Sequence, residues 1–159
     1  MTAKKDINRL VRNLRRGIGV STSKRAMKQL GNEAIDIIVT RTRRGLGVAR
    51  TGSRQQRLKG LSPRYIEFRK TQRLDPTTSA GKSNLTFTGQ LLRSMRVKSN
   101  SARKVTWGPN KRRRKGGITN ERLGEYVSVA RPFNFLSTRE VTQIAKSLEK
   151  ILARNLSKI

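Results

Sequence analysis

Gly81-Lys82-Ser83 ends as a phosphate-binding loop ends, with a lysine and a hydroxyl placed to meet a nucleotide's phosphates. That motif needs a glycine five residues before Gly81, but position 76 is proline and no strand-like run leads in. The triplet is expected to be a flexible turn. Gly17-Ile18-Gly19 and Gly45-Leu46-Gly47 also lack the preceding strand and third glycine of a dinucleotide fingerprint, and read as helix stops. The chain has no histidine and no cysteine, so the commonest general base and every thiolate ligand are missing. Its nine acids are Asp6, Glu33, Asp36, Glu67, Asp75, Glu121, Glu125, Glu140 and Glu149. Of these, only Glu33/Asp36 and Glu121/Glu125 fall within one helical turn of each other, too few converging ligands for a metal. Ion pairing with nearby arginines is their expected role. No spacing of Lys, Tyr or Ser suggests an activated nucleophile, so the chain is expected not to be an enzyme and to need no cofactor.

Charge is the stronger signal. Across 159 residues, 38 Lys and Arg stand against 9 Asp and Glu, a formal charge of +29. Such self-repulsion calls for an acidic counterpart: nucleic acid, an anionic membrane surface or an acidic protein. Between Pro76 and Asn120 there is no acid, while Lys82, Arg93, Arg96, Lys98, Arg103, Lys104 and the run Lys111 to Lys115 (with Arg112, Arg113 and Arg114) are all basic. Loops of this kind contact phosphate without reading base sequence. The few aromatics (Tyr65, Phe68, Phe87, Trp107, Tyr126, Phe133, Phe135) read as core, so a base-stacking sheet is not indicated. No apolar run is long enough for a signal peptide or a bilayer span, which predicts a soluble, cytosol-made protein with no membrane partner. Without cysteines the redox compartment stays open, and a reducing cytosol is compatible.

The elements that must hold these charges follow from periodicity. The length suits one core, and a hydrophobic share of 33% leaves part of the chain for loop or arm. Ile7, Leu10, Val11, Leu14 and Ile18 share one helical face, giving a basic N-terminal helical arm over residues 1–20. A second helix, about 23–44, starts at Ser21, Thr22 or Ser23. It carries Met27, Leu30, Ala34, Ile37 and Ile38 as its apolar stripe and closes at Gly45. Both helices end alike, RRGIGV and RRGLGV, as a basic last turn before a capping glycine.

A long loop at about 46–83 comes next, with one short helical candidate over Ser62 to Lys70. Thr88 is expected to begin a short helix through Met95, followed by a strand at Arg96–Ser99. A turn at Asn100-Ser101 leads to a partner strand, Arg103–Gly108. PNKRRRKGG reads as a loop. Tyr126–Val129 and Phe133–Leu136 each read as a short strand, and Ser137-Thr138-Arg139-Glu140 is a capping box opening a terminal helix, about 138–158. The expected fold is α+β: a small antiparallel sheet packed by the two long helices, one domain over 21–159 plus the arm.

Three stretches in this order, Asn84-Leu85-Thr86-Phe87-Thr88-Gly89-Gln90-Leu91-Leu92-Arg93-Ser94, Val105-Thr106-Trp107-Gly108 and Ala130-Arg131-Pro132-Phe133-Asn134-Phe135-Leu136-Ser137, carry a resemblance. From about Ala26 to the C-terminus the chain resembles the phage virion-morphogenesis family of neck and tail-completion proteins. The resemblance implies a structural virion protein made in the host cytoplasm. It would be a homo-oligomeric ring of about six or twelve copies, joining the head connector or portal-side proteins to tail proteins around packaged double-stranded DNA. It implies a framework of Thr88, Gly89, Leu91 and Leu92. Arg131-Pro132-Phe133 would lie at a subunit or partner interface, with Arg50, Arg54 and Arg57 on the loop that reaches neighbours. Lys111, Arg112, Arg113, Arg114, Lys115, Arg103 and Lys104 would meet DNA or an acidic partner. The basic arm and the loop at 111–115 depart from the family pattern. The alternative reading is a sequence-independent nucleic-acid-binding protein associated with ribosome or nucleoid, which accounts for the charge but not for the order of motifs.

Overall fold

Helix α1 (Lys24–Arg43) is the spine on which the rest packs. In the computed structural model, which describes residues 24–49, 54–76, 78–102, 104–112 and 117–157, it buries Ala26, Leu30, Ala34, Ile35 and Ile38. Ala26 and Ile35 take the place of the expected Met27 and Ile37, which are only half-buried, because α1 is covered on two sides, by a β-hairpin and by the terminal helix. Gly31 sits beneath the hairpin, where a Cβ would come within 2.6 Å of Val105 Cγ2 and 2.8 Å of Val97 Cγ2. Only a glycine lets the helix backbone approach that closely. Gly45 closes α1 as expected, with φ of +82° and its amide donating to the Thr42 carbonyl. The expected arm and the caps at Ser21 to Ser23 lie outside the described residues.

The architecture is α+β, with five helices and two separate two-stranded antiparallel sheets among the described residues. Strands β1 (Leu46–Val48) and β2 (Gln55–Arg57) pair with Leu46 opposite Arg57, so the expected long loop carries a hairpin of its own. Helix α2 (Pro63–Lys70) forms where the sequence predicts it: Ser62 Oγ accepts from the Tyr65 amide, and Pro63 starts the first turn. The excursion returns to its own base. Leu58 donates to the Gly45 carbonyl at 2.8 Å, Ser83 Oγ to the Lys59 carbonyl at 2.6 Å, and Asn84 Nδ2 to the Arg43 carbonyl at 3.3 Å.

Helix α3 (Gln90–Arg93) is one turn long and starts one residue later than expected, at Gly89, whose φ of +66° turns the chain into it. Thr88 contributes by accepting the Gln90 amide on Oγ1. Strands β3 (Met95–Asn100) and β4 (Val105–Pro109) form the expected hairpin, with Val97 opposite Trp107 and an irregularity between Val97 and Ser99.

Two expected strands are not strands. Tyr126–Val129 belongs to helix α4 (Asn120–Ala130), capped by Thr119 Oγ1, which accepts the Arg122 amide. Leu123 and Val127, four apart, face the core, and that spacing overrides the four-residue alternation of Tyr-Val-Ser-Val. Phe133–Leu136 is irregular, because the Phe133 and Phe135 carbonyls are taken by the Arg41 guanidinium and no neighbouring strand pairs with them. Helix α5 (Thr138–Leu156) opens with the complete capping box, Ser137 and Glu140 each bonding the other's backbone amide. The core joins Ile35 and Ile38 of α1 to Leu91, Leu92, Met95 and Phe133, with Val97, Trp107, Leu123 and Val127 packed against it.

Candidate functional site

The acid-free stretch becomes a cationic face built on β3, β4 and the entry to α4. Arg96, Lys98, Lys104, Lys111 and Arg112 are all exposed there. Lys98 has an acid in contact, Glu121 on the first turn of α4. That hydrogen bond from Lys98, helped by the nearby charge of Lys111, holds the Glu121 carboxyl below its ordinary range. Arg103, Arg113, Arg114, Lys115 and Arg50 of the sequence-expected contact set lie outside the described residues. Arg54 and Arg57 are exposed on and beside β2.

The framework residues hold the neutral stretch in place. Leu91 and Leu92 are buried in the core, and Gly89 supplies the left-handed turn that presents them. A Cβ at Gly89 would stand 2.2 Å from Asp75 Oδ2 and 2.6 Å from Arg93 Nη1, so the glycine also makes room for that ion pair. Asn84 is fully buried, its Oδ1 accepting from the Thr78 and Thr86 hydroxyls, and ties the end of the excursion to α1.

A groove of about 630 Å³ opens between α2, this neutral stretch and α4, lined among others by Tyr65, Phe87, Leu85, Leu123 and Arg131. Tyr65 and Phe68 stack at 6.0 Å, and Phe87 lies 6.3 and 6.1 Å from them. Tyr65 and Phe68 remain 39% and 49% exposed, too much for the core role the sequence suggests. Arg131 at the rim is anchored by donating to the Lys59 and Gly60 carbonyls. Phe133, expected at an interface with Arg131 and Pro132, is fully buried within this chain and belongs to the core. Pro132 sits beside it, its carbonyl accepting the Val48 amide of β1.

Sequence reasoning did not foresee two buried arginines. Arg41 donates to Glu140 at 2.6 Å and to the carbonyls of Phe133 and Phe135, while Gln55 of β2 donates to the other Glu140 oxygen at 3.0 Å. Burial pushes the Arg41 guanidinium below its ordinary value, and the Glu140 carboxylate works against that shift. Arg69 of α2 hydrogen-bonds the Lys82 and Ser79 carbonyls and Thr78 Oγ1, and lies over the Phe87 ring. Gly81-Lys82-Ser83 is thus a turn gripped by Arg69 from outside. These pairings join residues far apart in the chain, so no local pattern announces them.

The described surface thus offers a set of exposed cations and a groove lined in part by aromatic side chains. No group of three or more acids that could hold a metal occurs among the described residues, and no helix among them is long and apolar enough to cross a membrane. Comparison with protein-family models, with curated proteins and with solved structures yields no match to this chain.

Proposed function

We propose that the chain is a structural virion protein of a tailed phage, a neck or tail-completion ring subunit that joins the head connector to the tail around the DNA channel. The observation that carries this reading is the convergence of the three family-like stretches. Leu91 and Leu92 from the first, Trp107 from the second and Phe133 from the third meet in one cluster with Ile38 of α1. Motifs retained in order along a chain are what a shared framework requires when they also pack together in space. Around that framework the remaining segments face outward: the excursion with its aromatic groove, the exposed Arg54 and Arg57, and the cationic face with Lys104, Lys111 and Arg112. Outward basic and aromatic segments suit contacts with neighbouring subunits and with the DNA backbone.

The test is location. Purified particles separated on a density gradient are expected to carry the protein at a fixed ratio to the tail proteins, and its absence from them overturns the reading. Salt-sensitive DNA binding alone would fit the nucleic-acid-binding alternative equally well, so it does not decide between them. Replacing Lys111 to Lys115 by serine is expected to leave the melting curve unchanged and to lower the yield of joined head-tail particles. An unfolded variant would make that loop structural.

A further inference from the structure

Below the end of α3, where β3 begins and the chain enters α4, a cleft of about 470 Å³ is lined by Gln90, Arg93, Arg96, Asn110, Arg112 and Asn120. We propose that this cleft binds a phosphate oxyanion, and that in the assembled particle the oxyanion is a phosphodiester of the double-stranded DNA backbone. The second half rests on the DNA-channel reading above.

Among the described residues, three guanidinium groups border the cleft and no carboxylate lines it. Arg93 is held at its edge by Asp75, at 2.6 Å, and by donation to the Thr88 carbonyl. Arg96 and Arg112 have no ion-pair partner among the described residues, so their charge awaits an anion. The backbone that carries Arg112 is fixed on both sides. Asn110 donates its amide to the Ser94 carbonyl at 3.1 Å, and the Arg112 carbonyl accepts the Asn120 amide at 3.2 Å. The anion must be held by side chains, because the first amides of α4 are already used: Asn120 on Arg112, Glu121 on the Asn110 carbonyl at 3.1 Å, and Arg122 on Thr119 Oγ1 at 3.2 Å. Forked guanidinium donors suit a tetrahedral oxyanion better than they suit one carboxylate, which a single fork would satisfy.

Asn120 supplies a second, independent sign. It is 1% exposed, its Nδ2 donates to Asn110 Oδ1 at 2.8 Å, and its Oδ1 has no partner. An unsatisfied buried acceptor on a residue that lines an arginine-bordered cleft leaves its wall short of one donor, which a guanidinium N–H turned inward would supply. No aromatic side chain lines the cleft, so a base has nothing to stack on and the backbone is the part of a nucleic acid that fits.

The test uses the full chain and a 20-base-pair duplex of arbitrary sequence, followed by fluorescence anisotropy over a range of salt concentrations. Arg96→Ala/Arg112→Ala is compared with Lys146→Ala/Lys150→Ala, which removes the same charge from exposed positions of α5. The first variant is expected to melt like the parent and to reduce the slope of log K against log salt by about one, the loss of one phosphate contact. The second is expected to change the slope by much less. Equal losses in both would make the effect one of bulk charge and overturn the cleft. In a separate arm, inorganic phosphate is titrated at constant ionic strength. If it binds the parent but not the arginine variant while both variants keep the parent's DNA slope, the cleft takes free phosphate, and the duplex assignment fails. A chain missing from particles, yet showing the arginine-dependent slope, would overturn the ring reading and leave the cleft standing.

Discussion

Arg41 is the residue on which the most segments depend. Its guanidinium reaches Glu140 of α5 and the carbonyls of Phe133 and Phe135, and Glu140 in turn holds Gln55 of β2 and the amide and hydroxyl of Ser137. Glu140→Ala leaves a buried guanidinium without its counter-charge, and is expected to cost about 3–5 kcal/mol in urea unfolding. Arg41→Leu/Glu140→Leu, which removes both charges, is expected to cost less than the sum of the single changes. The sequence made half of this legible. Ser137 and Glu140 three apart announce a capping box, and the box is present. The other half was not, because Arg41 and Glu140 are 99 residues apart and nothing local distinguishes Arg41 from other arginines near the end of α1.

At the scale of elements, the long helices and the β3–β4 hairpin were legible because each spans enough residues for its period to show. The errors fall on short segments settled by tertiary partners. Tyr126–Val129 alternates over four residues, yet Thr119 caps a helix through it and Gly124 lets that helix approach β4, where a Cβ would lie 2.8 Å from Pro109 Cγ. In Phe133–Leu136 a guanidinium takes the carbonyls that a neighbouring strand would have used. Of the candidate site, the cationic loop and the neutral framework were readable as composition. The arginine-lined cleft was not, since it needs α3, β3 and α4 side by side. Gly89 is the most sensitive hinge among these elements. Gly89→Ala forces a side chain into a left-handed turn and against the Asp75–Arg93 pair. It is expected to destabilise the protein by at least about 1–2 kcal/mol, read as a lower urea midpoint, with Leu91 and Leu92 less protected in hydrogen exchange.

Over the whole molecule, the dominant quantity is charge. The chain's +29 is the excess left after its nine acids are counted, so ion pairs within it do not lower that charge. The proposed ring would repeat that surplus in every copy, and at low ionic strength the repulsion reaches well beyond contact distance. The purified chain is therefore expected to run as a monomer in dilute buffer by light scattering. Duplex DNA or an acidic connector surface should bring copies together. A closed ring that is stable alone in low salt would show that its interfaces do not need an acidic counterpart.

The bond from Ser83 Oγ to the Lys59 carbonyl brings the two ends of the 60–82 excursion together, while Asp75 within it reaches out to Arg93 and to the Phe87 carbonyl. Within that stretch Arg69 binds Thr78, Ser79 and Lys82, so much of its bonding is internal. Shortening it to a glycine-serine link is expected to lower the urea midpoint through loss of the Asp75–Arg93 pair, while the core of Ile38, Leu92 and Phe133 still assembles behind it.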